Sequence, residues 1–232
     1  MNIDLLRQLA VWIPVLLISV IAHEIAHGYA ALKQGDTTAR DLGRLSWNPV
    51  RHIDPFLTIL LPAMMLYTTG AALGGAKPVP VNPRNYRELR KGDIIVSLAG
   101  VVTNFGIAVV SAVLIVAIGI LAPVLPMAAP VLGYLQALAF YAVLLNWILI
   151  VFNLLPIPPL DGSHVMKYLL PPAIAVKYVE YGSRFGFLIL IGLIIFWRDG
   201  VSTLLYPAIV ATDLFHTPTR PFWIPEAQAW FR

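Results

Sequence analysis

The 232-residue chain contains no cysteine. Disulfide frameworks and thiolate metal sites are therefore excluded, and any bound metal must be held by His, Asp or Glu. Charge is also scarce, at 12 % Asp, Glu, Lys and Arg, where a soluble domain carries about a quarter. Together with 59 % hydrophobic residues, this leaves no room for a large soluble domain and reads as an integral membrane protein. No internal repeat and no low-complexity tract is present. The net charge of +4 is small and collects in particular loops. It is a topology signal rather than a surface for nucleic acid, which is not expected as a partner.

What the chain does have is five apolar stretches, at about 9–31, 56–75, 94–122, 132–155 and 185–216. A helix needs about 20 apolar residues to cross a bilayer, so the first, third and fourth are long enough to span. The second is interrupted by Pro62, Gly70, Gly74 and Gly75, and the fifth by Arg198-Asp199-Gly200. The fifth is either a hairpin of two short pieces or one span followed by an interfacial helix. Lys33, Arg40, Arg44 and Arg51 follow the first stretch, and Lys77, Arg84, Arg87, Arg90 and Lys91 precede the third. Lys167, Lys177 and Arg184 follow the fourth, whereas 123–131 carries no charge. By the positive-inside rule the basic segments are cytoplasmic and 123–131 faces the other side. Both flanks of 56–75 then lie on one side, which fits a re-entrant or hairpin element better than a crossing. The segment Lys77-Pro78-Val79-Pro80-Val81-Asn82-Pro83 is either an edge strand or an extended connector, because proline cannot donate to an inner ladder. Aromatic residues Phe222, Trp223, Trp230 and Phe231 beside Arg220 and Arg232 look like an interfacial anchor.

The first apolar stretch ends in His23-Glu24-Ile25-Ala26-His27. A signal-peptide reading of 1–31 fails, because the apolar run is too long and carries three ionisable residues. On a helix the two histidines project from one face, one turn apart, and both imidazoles reach one tetrahedral zinc. Glu24 then sits beside an activated water. Unpaired His, Glu and His inside a span would be expensive, so function is the default reading. A catalytic zinc needs a third protein ligand, and Asp161 is the candidate. It follows the fourth span in Asn153-Leu154-Leu155-Pro156-Ile157-Pro158-Pro159-Leu160-Asp161-Gly162. At 1.5 Å per residue, His23 lies roughly 3 Å and His27 roughly 9 Å past the midpoint of a span running toward the cytoplasm. The fourth span runs the same way, so Asp161 falls in the same half of the bilayer. Zinc at +2 with Asp161 and Glu24 at −1 each sums to zero, which a low dielectric tolerates.

Pro156, Pro158 and Pro159 end the fourth helix and free carbonyls that need a cavity or protein packing around them. Asn153, one turn earlier, is placed either to donate to a developing oxyanion or to satisfy that freed backbone. Gly100 and Asn104, one turn apart in the third span, read as a face for close helix packing. Among the other histidines, His52 reads as a loop-fixing residue, His164 as exposed at a helix start and His216 as interfacial.

These motifs and their order resemble the site-2 protease family of intramembrane zinc metalloproteases. The likeness rests on His-Glu-Ile-Ala-His, on Asn153 to Gly162, on Gly35-Asp36, Gly43-Arg44, Asn48-Pro49 and His52-Ile53-Asp54-Pro55, on Ala76 to Val81, and on Ala99-Gly100-Val101-Val102-Thr103-Asn104. It covers roughly residues 15–165 and points to the short branch without a PDZ or nucleotide-sensing domain. Val101 departs from the family's third-span motif, which carries proline there. The resemblance implies His23, His27 and Asp161 as ligands of one Zn2+ per chain, and Glu24 as the general base.

The expected fold is an all-α integral membrane protein, a polytopic helical bundle of about 4–6 membrane segments. A re-entrant or hairpin element and a small edge β structure are expected near the active site. Residues 1–232 form one membrane protease domain, with a catalytic core at about 9–170 and C-terminal segments and tail at 171–232. The expected activity is hydrolysis of peptide bonds within or near transmembrane helices of membrane-protein substrates, in a multi-pass protein of the bacterial cytoplasmic membrane with its site toward the cytoplasm. The partners are a substrate helix and the lipid bilayer, with a homo-oligomer left open. The rival reading is a non-enzymatic zinc-binding scaffold or transporter. A transporter would spread polar residues through the whole bilayer depth, and a scaffold would have no use for Glu24.

Overall fold

Long apolar runs with few helix breakers become long helices, and three of them set the frame of the computed structural model, which describes residues 3–55, 76–196 and 198–230. Helix α1 is Ile3–Gln34 and α2 is the short Thr38–Asp41. Helix α3 is Leu89–Leu121 and α4 is Ala129–Asn153. Helix α5 is Asp161–Met166, α6 is Pro172–Phe196, α7 is Arg198–Thr219 and α8 is Pro225–Gln228. Among the described residues there is no strand. Three helical segments there, Leu6–Gln34, Leu89–Val124 and Pro126–Asn153, are long and apolar enough to cross a membrane. The protein is thus an all-α integral membrane protein.

The 56–75 segment lies outside the described residues. Residues 76–82 belong to no helix or strand; their prolines favour extended backbone, and Asn82 has it. The fifth apolar stretch resolves into parts of α6, which ends at Phe196, and of α7, which begins at Arg198. Helix α6 begins well before the apolar run does. Pro172 at its first position has no N–H to leave unsatisfied, and Lys177, Glu180 and Arg184 extend it beyond the stretch that hydropathy alone marks.

The chain forms two compact units: Met1–Ser19, Asn104–Ile150 and Tyr206–Arg232 in one, Val20–Thr103 and Val151–Leu205 in the other. In the first, Pro14 lies inside α1 and so cannot donate to the Ala10 carbonyl one turn back. Tyr134 Oη donates to that carbonyl instead, at 2.9 Å. Asn146 Nδ2 donates to Ser19 Oγ at 2.8 Å, a buried polar link, and Ile115, Ala139 and Val143 pack with Trp147, Phe215 and Trp223. Gln136 is buried yet satisfied, donating to Ile115 O and Phe222 O and accepting from the Ile224 N–H. These bonds tie the aromatic tail into the unit, where Ile224 and Ala227 pack with Ala122 and Leu132. His216 is buried and stacks on Phe140, ring centroids 3.9 Å apart, so it lies within the packing rather than at its edge.

The second unit is organised by the end of α1. Gly35 closes the helix at φ +109, a left-handed conformation that costs glycine little. The turn delivers Asp36 to a buried position. There its carboxylate accepts from the Thr38 N–H and hydroxyl, the Asn82 N–H and Asn85 Nδ2. Burial by itself would raise this carboxyl, but the four donors outweigh it and hold Asp36 below the ordinary carboxylate range. Asp36 thereby fastens the extended segment to α1, beside the small cluster of Ala31, Tyr86 and Val96.

Candidate active site

All of the residues described next belong to the second unit. The 3.6-residue period puts His23 and His27 on one face of α1 and Glu24 about 100° away. His23 Nε2 and His27 Nε2 lie 2.9 Å apart. Asp161 Oδ2 lies 3.2 Å from the first and 3.4 Å from the second. Among the described residues these three make up the one His, Cys, Asp or Glu group close enough to hold a metal ion. Their side chains are 8 %, 12 % and 18 % exposed, so water does little to screen them.

The donor chemistry fits a small cation. His27 Nδ1 is 2.7 Å from Val96 O, and a carbonyl only accepts, so Nδ1 carries the hydrogen and the neutral ring turns a bare lone pair at Nε2 toward the cluster. That lone pair, a second imidazole nitrogen and a carboxylate oxygen crowded within 3.4 Å repel one another unless a positive charge lies among them. Asp161 Oδ2 is buried without a formal hydrogen-bond partner, which leaves it free to bind a metal. His23 Nδ1 likewise has no partner among the described residues, so this ring is held by packing. The packing is tight: a Cβ on Gly100 would run into the His23 imidazole.

Helix α3 works as a template. Asp93, Val96 and Gly100 fall at i, i+3 and i+7 on one face. Val96 orients His27, Gly100 makes room for His23, and Asp93 reaches α5, the helix that starts with Asp161. Buried Asp93 accepts from Lys167 Nζ at 2.5 Å and from Tyr168 Oη at 3.0 Å, and pairs with His164 Nδ1 at 3.2 Å. Burial, then the hydrogen bond to Asp93, push the Tyr168 phenol up to about 12, so it stays a donor at working pH. His164 is thus 43 % exposed and serves this clamp rather than the metal cluster. His52 Nε2 donates to Ser46 O at 2.8 Å and fixes its loop, as the sequence predicts.

The proline loop before Asp161 is covered by α6. Tyr178 Oη donates to Pro156 O at 2.9 Å, and Pro158 packs so closely on Gly182 and Gly186 that a Cβ at either would collide with it. The carbonyl freed at Pro156 is therefore satisfied by protein. A Cβ on Gly162 would likewise strike the Leu154 carbonyl, which accounts for glycine directly after Asp161. Asn153 is the last residue of α4 and is not one of the three clustered groups. Glu24 Oε2 accepts from the Val79 N–H at 2.7 Å, so the extended segment touches the motif glutamate directly.

Two contributors escape a reading of the sequence. Asp93 carries a signal, a lone carboxylate at the mouth of an apolar run, where ionisable groups are costly and rarely idle. The Val79 contact carries none, because its donor is a backbone amide.

Residues 117–193 match the model of peptidase family M50, a segment that includes Asn153 and Asp161 and begins after the His-Glu-Ile-Ala-His motif. The chain is 37 % identical over 196 residues, 84 % of its own length and 84 % of the relative's, to "Putative zinc metalloprotease YwhC" of Bacillus subtilis (strain 168). It is 32 % identical over 181 residues, 77 % of this chain and 64 % of the relative, to "Putative zinc metalloprotease Rip2" of Mycolicibacterium smegmatis. No solved structure matches it. The chain belongs to peptidase family M50, the site-2 protease family, and is a zinc metalloprotease.

Proposed function

We propose that this zinc metalloprotease cuts peptide bonds within or near the transmembrane helices of other membrane proteins, with His23, His27 and Asp161 holding the zinc and Glu24 as general base. The observation that carries this reading is the convergence of His23, His27 and Asp161 within 3.4 Å, on and beside helices apolar enough to span a membrane. Bound zinc supplies Lewis acidity that brings a water molecule's pKa near neutrality.

The chain's own groups do the rest. His27 is held in one tautomer by Val96 O, so its Nε2 needs no rearrangement to ligate. Asp161 offsets one positive charge inside a weakly screened site. Glu24, not itself among the clustered groups, takes the proton from the attacking water and returns it to the leaving amine. A scaffold that kept zinc for stability would gain nothing from a half-buried glutamate beside the ligands. Asn153 donates either to the developing oxyanion or to nearby backbone. The site lies in the cytoplasmic half of the bacterial membrane by loop charge, and the whole chain acts as a single protease domain.

A helical amide is shielded from attack, so a substrate helix must unwind locally. Single-span test helices carrying Gly, Asn or Pro near the cytoplasmic end are expected to be cut at least tenfold faster than a poly-Leu helix in proteoliposomes, with the cut mapped by mass spectrometry. Equal rates on both, or a cut confined to a soluble tail, would contradict the reading.

A further inference from the structure

Three prolines in Lys77-Pro78-Val79-Pro80-Val81-Asn82-Pro83 leave the segment four backbone donors. Three of the four are already committed within the protein. The Lys77 N–H donates to His52 O at 2.8 Å, the Val79 N–H to Glu24 Oε2 at 2.7 Å and the Asn82 N–H to Asp36 Oδ2 at 2.7 Å. The Lys77 carbonyl is engaged too, accepting from Arg44 Nη2 at 2.9 Å. An edge that receives a partner strand turns donors and acceptors alternately outward. This segment spends three of its four donors inward, which fixes it to the protein.

The sequence of α1 prepares the seat. Glu24, Gly28 and Ala31 fall at i, i+4 and i+7, a face distinct from that of the two histidines. A Cβ on Gly28 would lie 3.0 Å from Val79 Cγ1 and would strike Leu45. Val79 is itself buried, and Val81 packs on the Ala31 cluster below. Pro78 and Pro80 restrict the backbone on either side of Val79, so its N–H has little freedom to turn away.

We propose that the Val79 backbone N–H is the positioning donor of Glu24, and that the extended segment holds the base. The inference rests on the reading of Glu24 as general base. A carboxylate held at one oxygen by a rigid amide has its plane fixed and leaves the other oxygen to take a proton. A side-chain donor could swing away with its rotamer, whereas a backbone donor between prolines cannot.

Val79→Pro removes the donor and suits an extended segment. Replacing Val79 with α-hydroxyvaline puts an ester oxygen in place of the N–H and keeps the side chain, so it remains informative if the proline variant does not fold. Val79→Ala keeps the donor and loses packing. Each is to be reconstituted with zinc and compared with wild type and Glu24→Gln for kcat, KM and zinc content on a single-span helix. Both donor-less variants are expected to lose about ten- to a hundredfold in kcat with KM and zinc content held, and Val79→Ala less than about threefold. Retained kcat in the α-hydroxyvaline protein, with Glu24→Gln inactive, would overturn the positioning role and leave the base intact. An equal loss in Val79→Ala would assign the effect to packing and overturn it as well. Activity in Glu24→Gln would remove the base reading and this proposal with it.

Discussion

In the cluster, the Val96 carbonyl holds His27 and packing holds His23. For His23 the neighbour is Gly100, against which its ring lies. Gly100→Ala should strengthen α3 by up to about 1 kcal/mol through helix propensity, yet it places a methyl group where the imidazole now sits. Overpacking of about 1–3 kcal/mol offsets that gain, so thermal stability is expected to hold or fall while zinc is stripped by a chelator at least about tenfold faster. Zinc retention equal to wild type would show that the ring has room to move. Asp36 makes a pH-dependent counterpart. Its carboxyl is held low in the folded protein, so its contribution is present above the ordinary carboxylate pKa of about 4 and is lost as pH falls through its own lower value. Asp36→Asn should lower the thermal midpoint at pH 7, with the gap to wild type closing as pH drops toward 3. A gap independent of pH would mean that the charge contributes nothing.

Among the elements, the α3 to α5 clamp carries the most consequence for the site, since α5 begins with Asp161. Asp93→Ala strands Lys167 and takes the acceptor from Tyr168. Because Lys167 is partly exposed, the expected loss is ~1–3 kcal/mol rather than the full cost of breaking a buried pair. Zinc release under chelator should quicken with it, and Asp93→Asn, which keeps an acceptor, should fall between. Fast release from Asp93→Ala that a stabilising lipid or additive restores fully would indicate a general weakening instead of a displaced Asp161. Much of this level was readable from the chain. The helices at 9–31, 94–122 and 132–155 follow from uninterrupted apolar length, and the His-Glu-Ile-Ala-His spacing with Asp161 marks the three groups that come together. The start of α6 was not readable from hydropathy, because Lys177, Glu180 and Arg184 break the apolar signal without breaking the helix. Nor was the partner of Asp93, since a contact between residues 74 positions apart, Asp93 to Lys167, leaves no local pattern.

For the whole molecule, the orientation proposed from loop charge is testable because the sequence has no cysteine. Arg84 and Met127 lie beyond opposite ends of α3, and both are exposed. A cysteine introduced at 84 should react with a membrane-impermeant maleimide from the cytoplasmic side, and one at 127 from the other. Labelling of both from one side would contradict α3 as a crossing and remove the argument that places the metal cluster in the cytoplasmic half. The rival readings also separate at this scale: a transporter would move zinc or another solute across a sealed vesicle, whereas a protease needs only a substrate in the same bilayer.

The central claim is that Glu24 performs chemistry beside a zinc that it does not ligate. Its most direct test is cleavage of a single-span helix in proteoliposomes by wild type and by Glu24→Gln, with zinc per chain measured in both. The account expects about one zinc per chain in each protein and loss of cleavage by at least a thousandfold in the variant. Comparable cleavage in the variant, or loss of zinc along with activity, would contradict it.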